Sequence, residues 1–412
     1  MNVILAVLFL SGVCVGGLLN LGVYRLAWHA RSISPWSAPP AEAPRRHWYD
    51  RIPILGWLGL SRESGLHGRG FWVRPMLVEL LCGIGFAALY WWEISQAGLL
   101  PAGWPKPVPA GMLAVLHVQY GCHLVLISLM LVASLIDADE KTIPDAITVP
   151  GTLFGLVAAA SYPWSLLPEL VAGPTGGVRL SFLRLTSPNP WPDWLGGFPQ
   201  AWALAIGLCC WWGWCFALTH RTWYARHGWA RALRLSLARL FRERSTWRIL
   251  LTGVVGSAVL GGVWFVGGPH WEGLLTSLVG LAACGGIIWA IRIIGSAVLR
   301  REAMGFGDVT LMAMIGAFLG WQTFPLVLFG AALTGLVVGV IGLVLRHGPE
   351  IPYGPFLCLA ALGVLVRWAS LWEWIAPVYG LGWFLVLLIA MCLILMVPLL
   401  VVIRLIRQVF EH

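Results

Sequence analysis

The chain has 412 residues, of which 59% are hydrophobic and only 11% are charged. Because an ordinary soluble domain carries roughly 25% charged residues, this composition excludes a typical soluble enzyme. The formal net charge of +9 comes from arginines clustered beside apolar blocks, so it indicates a membrane topology signal rather than nucleic-acid binding.

Apolar blocks follow one another along the chain, and many approach the roughly 20 residues that a helix needs to cross a bilayer. They predict an all-α, polytopic transmembrane bundle of about eleven spans, within a range of about eight to eleven. The predicted spans are 3–26, 76–94, 110–135, 146–162, 201–219, 249–268, 271–297, 308–322, 324–345, 353–371 and 381–403. Whether 308–345 forms two spans or one re-entrant element stays open.

The first span is interpreted as retained, with its N-terminus outside, because no basic residue precedes its apolar run. The segments 27–75 and 220–248 then lie on the cytoplasmic side, and they carry seven and eight arginines. Three segments on the other side hold only three basic residues, namely Lys106, Arg179 and Arg184. The distribution therefore obeys the positive-inside rule.

Five regions are expected from this pattern. They are a first span at 1–26, a cytoplasmic loop domain at 27–75, helices with an acidic cluster at 76–162, an insert with extra spans at 163–300, and final helices at 301–412. The loop domain is Pro-rich at first and then compact. Within 220–248, arginines mixed with apolar residues predict an amphipathic helix on the anionic inner leaflet.

Acidic residues number only 18, so their placement is informative. One group, Asp137, Asp139, Glu140 and Asp145, lies in SLIDADEKTIPDAITVP, and Asp308 lies in MGFGDV. Four predicted crossings separate Asp137 from Asp308, which brings both to the same face of the membrane. Ionisable groups at membrane depth indicate function by default.

Two close carboxylates cannot both ionise easily, and they titrate as a coupled pair. Peptide hydrolysis uses such a pair with one acid protonated and one ionised. The glycines Gly305 and Gly307 indicate a backbone beside Asp308 that bends or lets a substrate approach closely.

These residues carry a resemblance to a known family. LIDADEKTIPDAITVPG and GFGDVTLMAMIGAFLGW together resemble the type IV prepilin peptidases, polytopic aspartic peptidases with a G-x-G-D motif. Three further stretches occur in the same order as in that family, namely GGLLNLGVYRL, DRIPILGWLGL with RPMLVELLCG, and IPYGPFL.

The resemblance implies a membrane-embedded aspartic endopeptidase. It would remove the short basic leader of prepilin-like or pseudopilin precursors at the cytoplasmic face of the bacterial inner membrane. The catalytic pair carries over to Asp137 and Asp308, with Gly305 and Gly307 shaping the backbone. The expected partners are this substrate and the lipid bilayer, and no nucleic acid.

Three other acids are expected to play supporting parts. Asp139 and Asp145 belong to the same motif as Asp137 and are expected to solvate or cap the following span. Glu79, inside the second span, is expected to support the structure or to position the substrate, with Arg74 as a candidate partner.

Two departures from the family pattern bear on cofactors. Many members carry paired C-x-x-C motifs in the first cytoplasmic loop, whereas no cysteine lies between Trp28 and Pro75. No zinc or other metal is therefore expected, and proteolysis needs no cofactor. Members often also methylate the new N-terminus with S-adenosylmethionine as the methyl donor. S-adenosylmethionine is expected as a cofactor here only if that activity is retained. The second departure is the insert, which gives four spans between the aspartates rather than two.

Other readings remain. A presenilin-like intramembrane peptidase shares the G-x-G-D aspartate, but its first aspartate usually lies within a span. A transporter or scaffold could use Asp137 and Asp308 as an ion site, but such a site needs acids near the bilayer midplane. The loop histidines show no ligand spacing and are interpreted as solvated; they are His29, His47, His67, His220, His227 and His347.

Overall fold

The computed structural model describes residues 2–29, 31, 33–39, 42–101, 104, 108–172, 178–219, 244–300, 304–344 and 352–410. The α-helices in this part of the chain are α1 (Asn2–Leu26), α2 (Leu55–Leu60), α3 (Ser64–His67), α4 (Val73–Tyr90), α5 (Ala110–Glu140), α6 (Asp145–Ser161), α7 (Ala201–Ala217), α8 (Arg244–Val266), α9 (Gly268–Leu299), α10 (Phe306–Leu319), α11 (Phe324–Val344), α12 (Gly354–Val366), α13 (Trp368–Tyr379) and α14 (Trp383–Phe410). Helix α4 continues into a π-helical turn, Trp91–Ser95.

Ten of the eleven predicted spans each coincide with one helix. The remaining one, 353–371, covers α12 and the start of α13, which form a bent pair. Among the described residues, seven helices are long and apolar enough to cross a membrane, or up to eight if the pair bent by 92° counts as one span. The predicted polytopic helical membrane protein is thereby confirmed. The region 308–345 forms two separate helices, α10 and α11.

Helix α10 lies at the centre of the bundle, packed against α6, α9 and α12. Every residue from Asp308 to Leu319 is buried, as expected for a helix that is apolar on all sides. Its 14 residues reach only about 21 Å, less than the roughly 30 Å hydrocarbon core. Because protein surrounds it, α10 does not have to match the bilayer.

A close backbone contact fixes α10 against α9. A methyl group added to Gly280 would lie 2.2 Å from the carbonyl oxygen of Gly316, and one added to Gly316 would lie 2.3 Å from that of Gly280. The hydroxyl of Ser277 also donates to the carbonyl of Ala317 at 2.5 Å. Small residues let membrane helices approach this closely.

One end of the bundle, where α5 ends and α10 and α12 begin, is called the aspartate end below. The backbone N–H groups of Trp28 and His29 donate to Glu140 of α5, which places the end of α1 there too. The start of α4 joins it, since Arg74 contacts Asp139. The helices α1, α4 and α5 therefore alternate in direction, as the predicted topology requires.

The opposite end carries a β-hairpin, which the all-α prediction did not foresee. Strands β1 (Pro168–Ala172) and β2 (Val178–Phe182) pair antiparallel, with Pro168 opposite Phe182. Proline is tolerated as the first residue of a strand. The indole N–H of Trp368 donates to the carbonyl of Pro168 at 2.7 Å and anchors the hairpin. Two five-residue strands are too short for periodicity alone to identify.

Loop 27–75 folds compactly between residues 48 and 67, in α2, α3 and two 3₁₀ turns, Trp48–Arg51 and Ser61–Glu63. Two buried carboxylates hold it, because Arg46 donates to both oxygens of Glu63 at 2.7 and 2.8 Å and Arg62 donates to Asp50. The predicted amphipathic segment 220–248 lies outside the described residues as far as position 243.

Candidate active site

Asp137 lies close to the end of α5 and is 5% exposed. Its Oδ2 accepts a hydrogen bond of 3.0 Å from the backbone N–H of Gly354, the first residue of α12. The first N–H groups of a helix have no partner within it, and the helix dipole favours negative charge there. The start of α12 is therefore an anion-binding position, and Asp137 occupies it.

Asp308 is the third residue of α10 and is 6% exposed. Its Oδ2 lies beside Gly305, the residue that precedes the helix, 3.8 Å from the position that a methyl group on this glycine would take. The helix dipole stabilises a negative charge in the first turn of a helix. The two aspartates thus lie at the N-termini of two different helices.

The structure brings Asp137 and Asp308 together, although 171 positions separate them in sequence. They are near enough for the carboxylate of Asp308 to sense the charge of Asp137. The surroundings are buried, but two helix N-termini face the pair and stabilise negative charge. Such a setting suits a carboxylate pair that holds one proton between its two members.

Ile143 fills the space between the two aspartate segments, and it was not among the residues predicted for the site. It is 7% exposed. A methyl group added to Gly307 would lie 2.7 Å from its Cβ, and one added to Gly354 would lie 3.0 Å from its Cδ1. Ile143 thus packs against both glycines and sets the spacing between α10 and α12.

The two glycines before Asp308 differ in what they contribute. Gly305 has φ −65° and ψ 153°, which any residue adopts, and a methyl group there would meet nothing closer than 3.8 Å. Gly307 belongs to α10 and lies against the backbone nitrogen of Ile143. Close approach, and not an unusual dihedral angle, therefore accounts for glycine at position 307.

Tyr353 and Cys358 complete the surroundings of the pair. Tyr353 directly precedes α12 and is near enough to Asp308 to sense its charge. Cys358 is buried one turn into α12 and senses both aspartates. Of the IPYGPFL stretch, Ile351 lies outside the described residues.

Asp139 and Asp145 point elsewhere. Arg74 donates to both oxygens of Asp139 at 2.6 and 2.8 Å, and to the carbonyl of Leu135 at 2.9 Å. Asp145 is exposed in the first turn of α6, where its charge complements the helix dipole. These contacts support the expectation that both acids stabilise the helix ends.

Glu79 is buried within α4 and joins loop 27–75 to the bundle. It accepts hydrogen bonds from the backbone N–H of Ile54 at 2.5 Å, the indole N–H of Trp57 at 2.8 Å and the amide of Asn20 at 3.4 Å. The candidate partner Arg74 binds Asp139 instead, because a basic side chain at the start of α4 lies level with the end of α5. The contacts of Glu79 are those of a structural anchor.

The described loop histidines are not all solvated. His67 is 17% exposed, lies 3.4 Å from Glu63 and packs against Phe71, whereas His29 is exposed beside Glu140. His220, His227 and His347 lie outside the described residues. The loop offers no thiolate, and Arg62 and Arg46 bind its carboxylates Asp50 and Glu63, so these residues do not fit a tetrahedral zinc ion.

Comparison with known proteins decides the family. The profile of the Type IV leader peptidase family matches residues 124–224 and 244–340, which include both Asp137 and Asp308. The profile of the bacterial Peptidase A24 N-terminal domain matches residues 10–93. The chain belongs to the type IV leader peptidase family. The family prediction made from the motifs is therefore confirmed.

Curated relatives of this leader peptidase family member carry the name Prepilin leader peptidase/N-methyltransferase. The protein of Myxococcus xanthus is 35% identical over 37% of this chain and 39% of its own length. That of Pseudomonas aeruginosa is 38% identical over 23% of this chain and 29% of its own length. The chain thus spans about a third of the length of these two relatives. The Pseudomonas putida protein is 29% identical over 90% of this chain and 88% of its own length. No solved structure matches significantly.

Proposed function

We propose that this chain is an aspartic endopeptidase that removes the leader of a prepilin-like precursor, with Asp137 and Asp308 as its catalytic pair. One observation carries the proposal. Two buried carboxylates from distant parts of the chain meet where two helices begin, at one end of a membrane bundle. The names of the curated relatives support the choice of substrate.

In the proposed reaction the pair shares one proton. The ionised carboxylate takes a proton from a water molecule, which attacks the scissile carbonyl carbon, while the protonated carboxyl donates to the carbonyl oxygen. The tetrahedral intermediate then collapses, the C–N bond breaks and the departing amine receives a proton. The N–H of Gly354 keeps the Asp137 carboxylate in place, and Asp308 is held in the first turn of α10.

We propose that the aspartate end faces the cytoplasm of a bacterial cell. The arginine-rich segment 27–75 joins α1 to α4 at this end, and in the sequence the arginine-rich segment 220–248 follows α7. The positive-inside rule assigns such segments to the cytoplasmic side. A precursor with a short basic leader would then be cut at the cytoplasmic face of the inner membrane.

The positions of the acids argue against an ion-transport site. Asp137 lies three residues before the end of α5, and Asp308 is the third residue of α10. Transport sites favour the bilayer midplane. Asp137 also lies too near the end of its helix for a presenilin-like arrangement.

The test uses the full chain in lipid nanodiscs with a synthetic prepilin that carries a basic leader. Asp137→Asn and Asp308→Asn are each expected to lower the cleavage rate by at least about 1,000-fold, since acid–base groups contribute up to about 10⁴-fold. Asp193→Asn, an exposed site at the opposite end, is the matched control and should cleave normally. Asp139→Asn should stay within about threefold of the wild type, because a half-exposed ion pair contributes little.

Full cleavage by either Asp137→Asn or Asp308→Asn would exclude the aspartic mechanism. Methyl transfer is a separate activity in the names of the relatives. Labelled S-adenosylmethionine added to the cleaved product would show whether the cysteine-free loop supports it. Label on the new N-terminal amine would assign the activity to this chain, and its absence would restrict the chain to proteolysis.

A further inference from the structure

Arg292 is a cation near the end of α9, and it belongs to none of the sequence motifs. It is half-buried, and its Nε donates to the carbonyl oxygen of Met304 at 2.8 Å. The centre of its guanidinium also lies 5.7 Å from the ring centroid of Phe306, the first residue of α10. Arg292 thus contacts the segment that leads into Asp308 in two ways.

The carbonyl that Arg292 holds belongs to a particular peptide group. Met304 C=O belongs to the peptide that joins Met304 to Gly305. Oδ2 of Asp308 lies beside Gly305, 3.8 Å from the position that a methyl group on this glycine would take. Arg292 therefore holds a peptide that lies next to the Asp308 carboxylate, and a hydrogen bond from a charged donor is stronger than one between neutral groups.

Phe306 fixes the same segment from a second direction. Its ring packs edge-on against Trp289 of α9, with centroids 6.2 Å apart, and the guanidinium of Arg292 lies over it. Trp289 and Arg292 are three residues apart and so share one face of α9. That face holds both the peptide before Asp308 and the first side chain of its helix.

We propose that Arg292 is a positioning residue for Asp308, acting through the Met304–Gly305 peptide. The inference rests on the proposed function only for its kinetic readout. Arg292 holds this peptide and the ring of Phe306 in place, and so fixes the first turn of α10, which carries Asp308. Without Arg292 this segment can shift, and the Asp308 carboxylate then moves relative to Asp137.

The test compares Arg292→Met and Arg292→Lys with Arg404→Met. Arg404 on α14 is the matched control, since it also donates to a carbonyl of α9, that of Val298, at 3.1 Å. Infrared titration follows the carboxyl band of Asp308, identified by its loss in Asp308→Asn. The other titratable groups facing Asp308 are Asp137, Tyr353 and Cys358, and all variants retain them.

In Arg292→Met the midpoint of the Asp308 titration is expected to move by about 0.5–1 pH unit, because a shift of the segment changes the distance between its carboxylate and that of Asp137. In cleavage assays kcat should fall about 10-fold or more while KM changes by less than about threefold, as expected for a misplaced catalytic group. Arg292→Lys should recover part of both effects, since it keeps a charged donor but loses the planar contact with Phe306.

An unchanged Asp308 titration in Arg292→Met, or one equal to that of Arg404→Met, would overturn the inference even if the variant were less stable. The infrared readout does not depend on cleavage. If the wild type fails to cut the prepilin, the proposed function fails, and the titration still decides the role of Arg292.

Discussion

The backbone N–H of Gly354 donates to Oδ2 of Asp137 at 3.0 Å, across 217 positions of sequence. This bond ties the end of α5 to the start of α12 and fixes the Asp137 carboxylate there. Gly354 has no room for a side chain, because an added methyl group would lie 2.6 Å from that same Oδ2 and 3.0 Å from Ile143. The glycine is therefore required by close approach to a proposed catalytic atom.

Gly354→Ala is expected to lower kcat for leader cleavage by about 100-fold, because the methyl group must displace the Asp137 carboxylate and small misplacements cost that much. Gly363→Ala is the matched control in the same helix, where an added methyl group meets nothing within 4 Å. It should keep normal activity and gain stability, since alanine favours a helix by about 1 kcal/mol over glycine. Equal activity of the two variants would contradict the proposed geometry.

Much of this arrangement could be predicted from the sequence. Apolar block lengths locate the spans and arginine counts orient them, since both depend on local composition. The partner of Asp137 could not be found in this way, because no local pattern records which N–H approaches a carboxylate 217 positions away. IPYGPFL contributes only to the family resemblance, which gives Gly354 no role.

Glu79 and the β-hairpin show two further limits of the sequence. The acid within α4 was predicted to need a partner, but its partners are backbone and indole N–H groups of the loop, which carry no charge pattern. The strands β1 and β2 have five residues each, too few for their alternation to be distinguished from an irregular segment. Tertiary contacts decide both features.

The two glycines of MGFGDV are predicted to respond differently to substitution. Gly307→Ala should lower activity about 10-fold or more, because the methyl group would lie 2.7 Å from Ile143 Cβ and 3.0 Å from its backbone nitrogen, neither of which can move easily. Gly305→Ala should stay within about threefold of the wild type, since its backbone is extended and the nearest atom is 3.8 Å away. Cleavage assays on both variants give the comparison. A larger loss of activity in Gly305→Ala than in Gly307→Ala would contradict the roles given to the two glycines.

Glu79→Gln is predicted to loosen loop 27–75. The amide replaces one acceptor by a donor that faces the N–H of Ile54 or Trp57, which leaves a buried group unsatisfied at a cost of about 1–3 kcal/mol. Ile54 increases the effect, because it is a β-branched residue at φ 65° and relies on its neighbours to stay there.

The measurement for Glu79→Gln is limited proteolysis of the loop together with Tm in detergent. Faster cleavage within 27–75 and a lower Tm are expected. Glu373→Gln, an exposed acid on α13, is the control and should match the wild type. Wild-type protease resistance in Glu79→Gln would show that Glu79 does not anchor the loop.

Glu169 on the β-hairpin predicts a pH dependence of stability at the opposite end. It is 4% exposed and accepts a hydrogen bond of 2.5 Å from Ser187, and burial raises its pKa from 4.5 to about 7. Between these two pH values the folded chain keeps the proton while the unfolded chain releases it. The free energy of unfolding therefore falls as pH rises from about 4.5 to about 7, by an amount on the order of 3 kcal/mol.

Glu169→Gln keeps the acceptor for Ser187 and carries no charge at any pH, so it should remove most of this decline. Its Tm is expected to exceed that of the wild type above pH 7 and to approach it near pH 4.5, with Asp193→Asn at the same end as the control. Thermal denaturation in detergent across this pH range gives the comparison. Parallel Tm profiles for Glu169→Gln and the wild type would mean that the buried carboxyl group does not set the pH response, and that the hairpin holds the ionised form of Glu169 without cost.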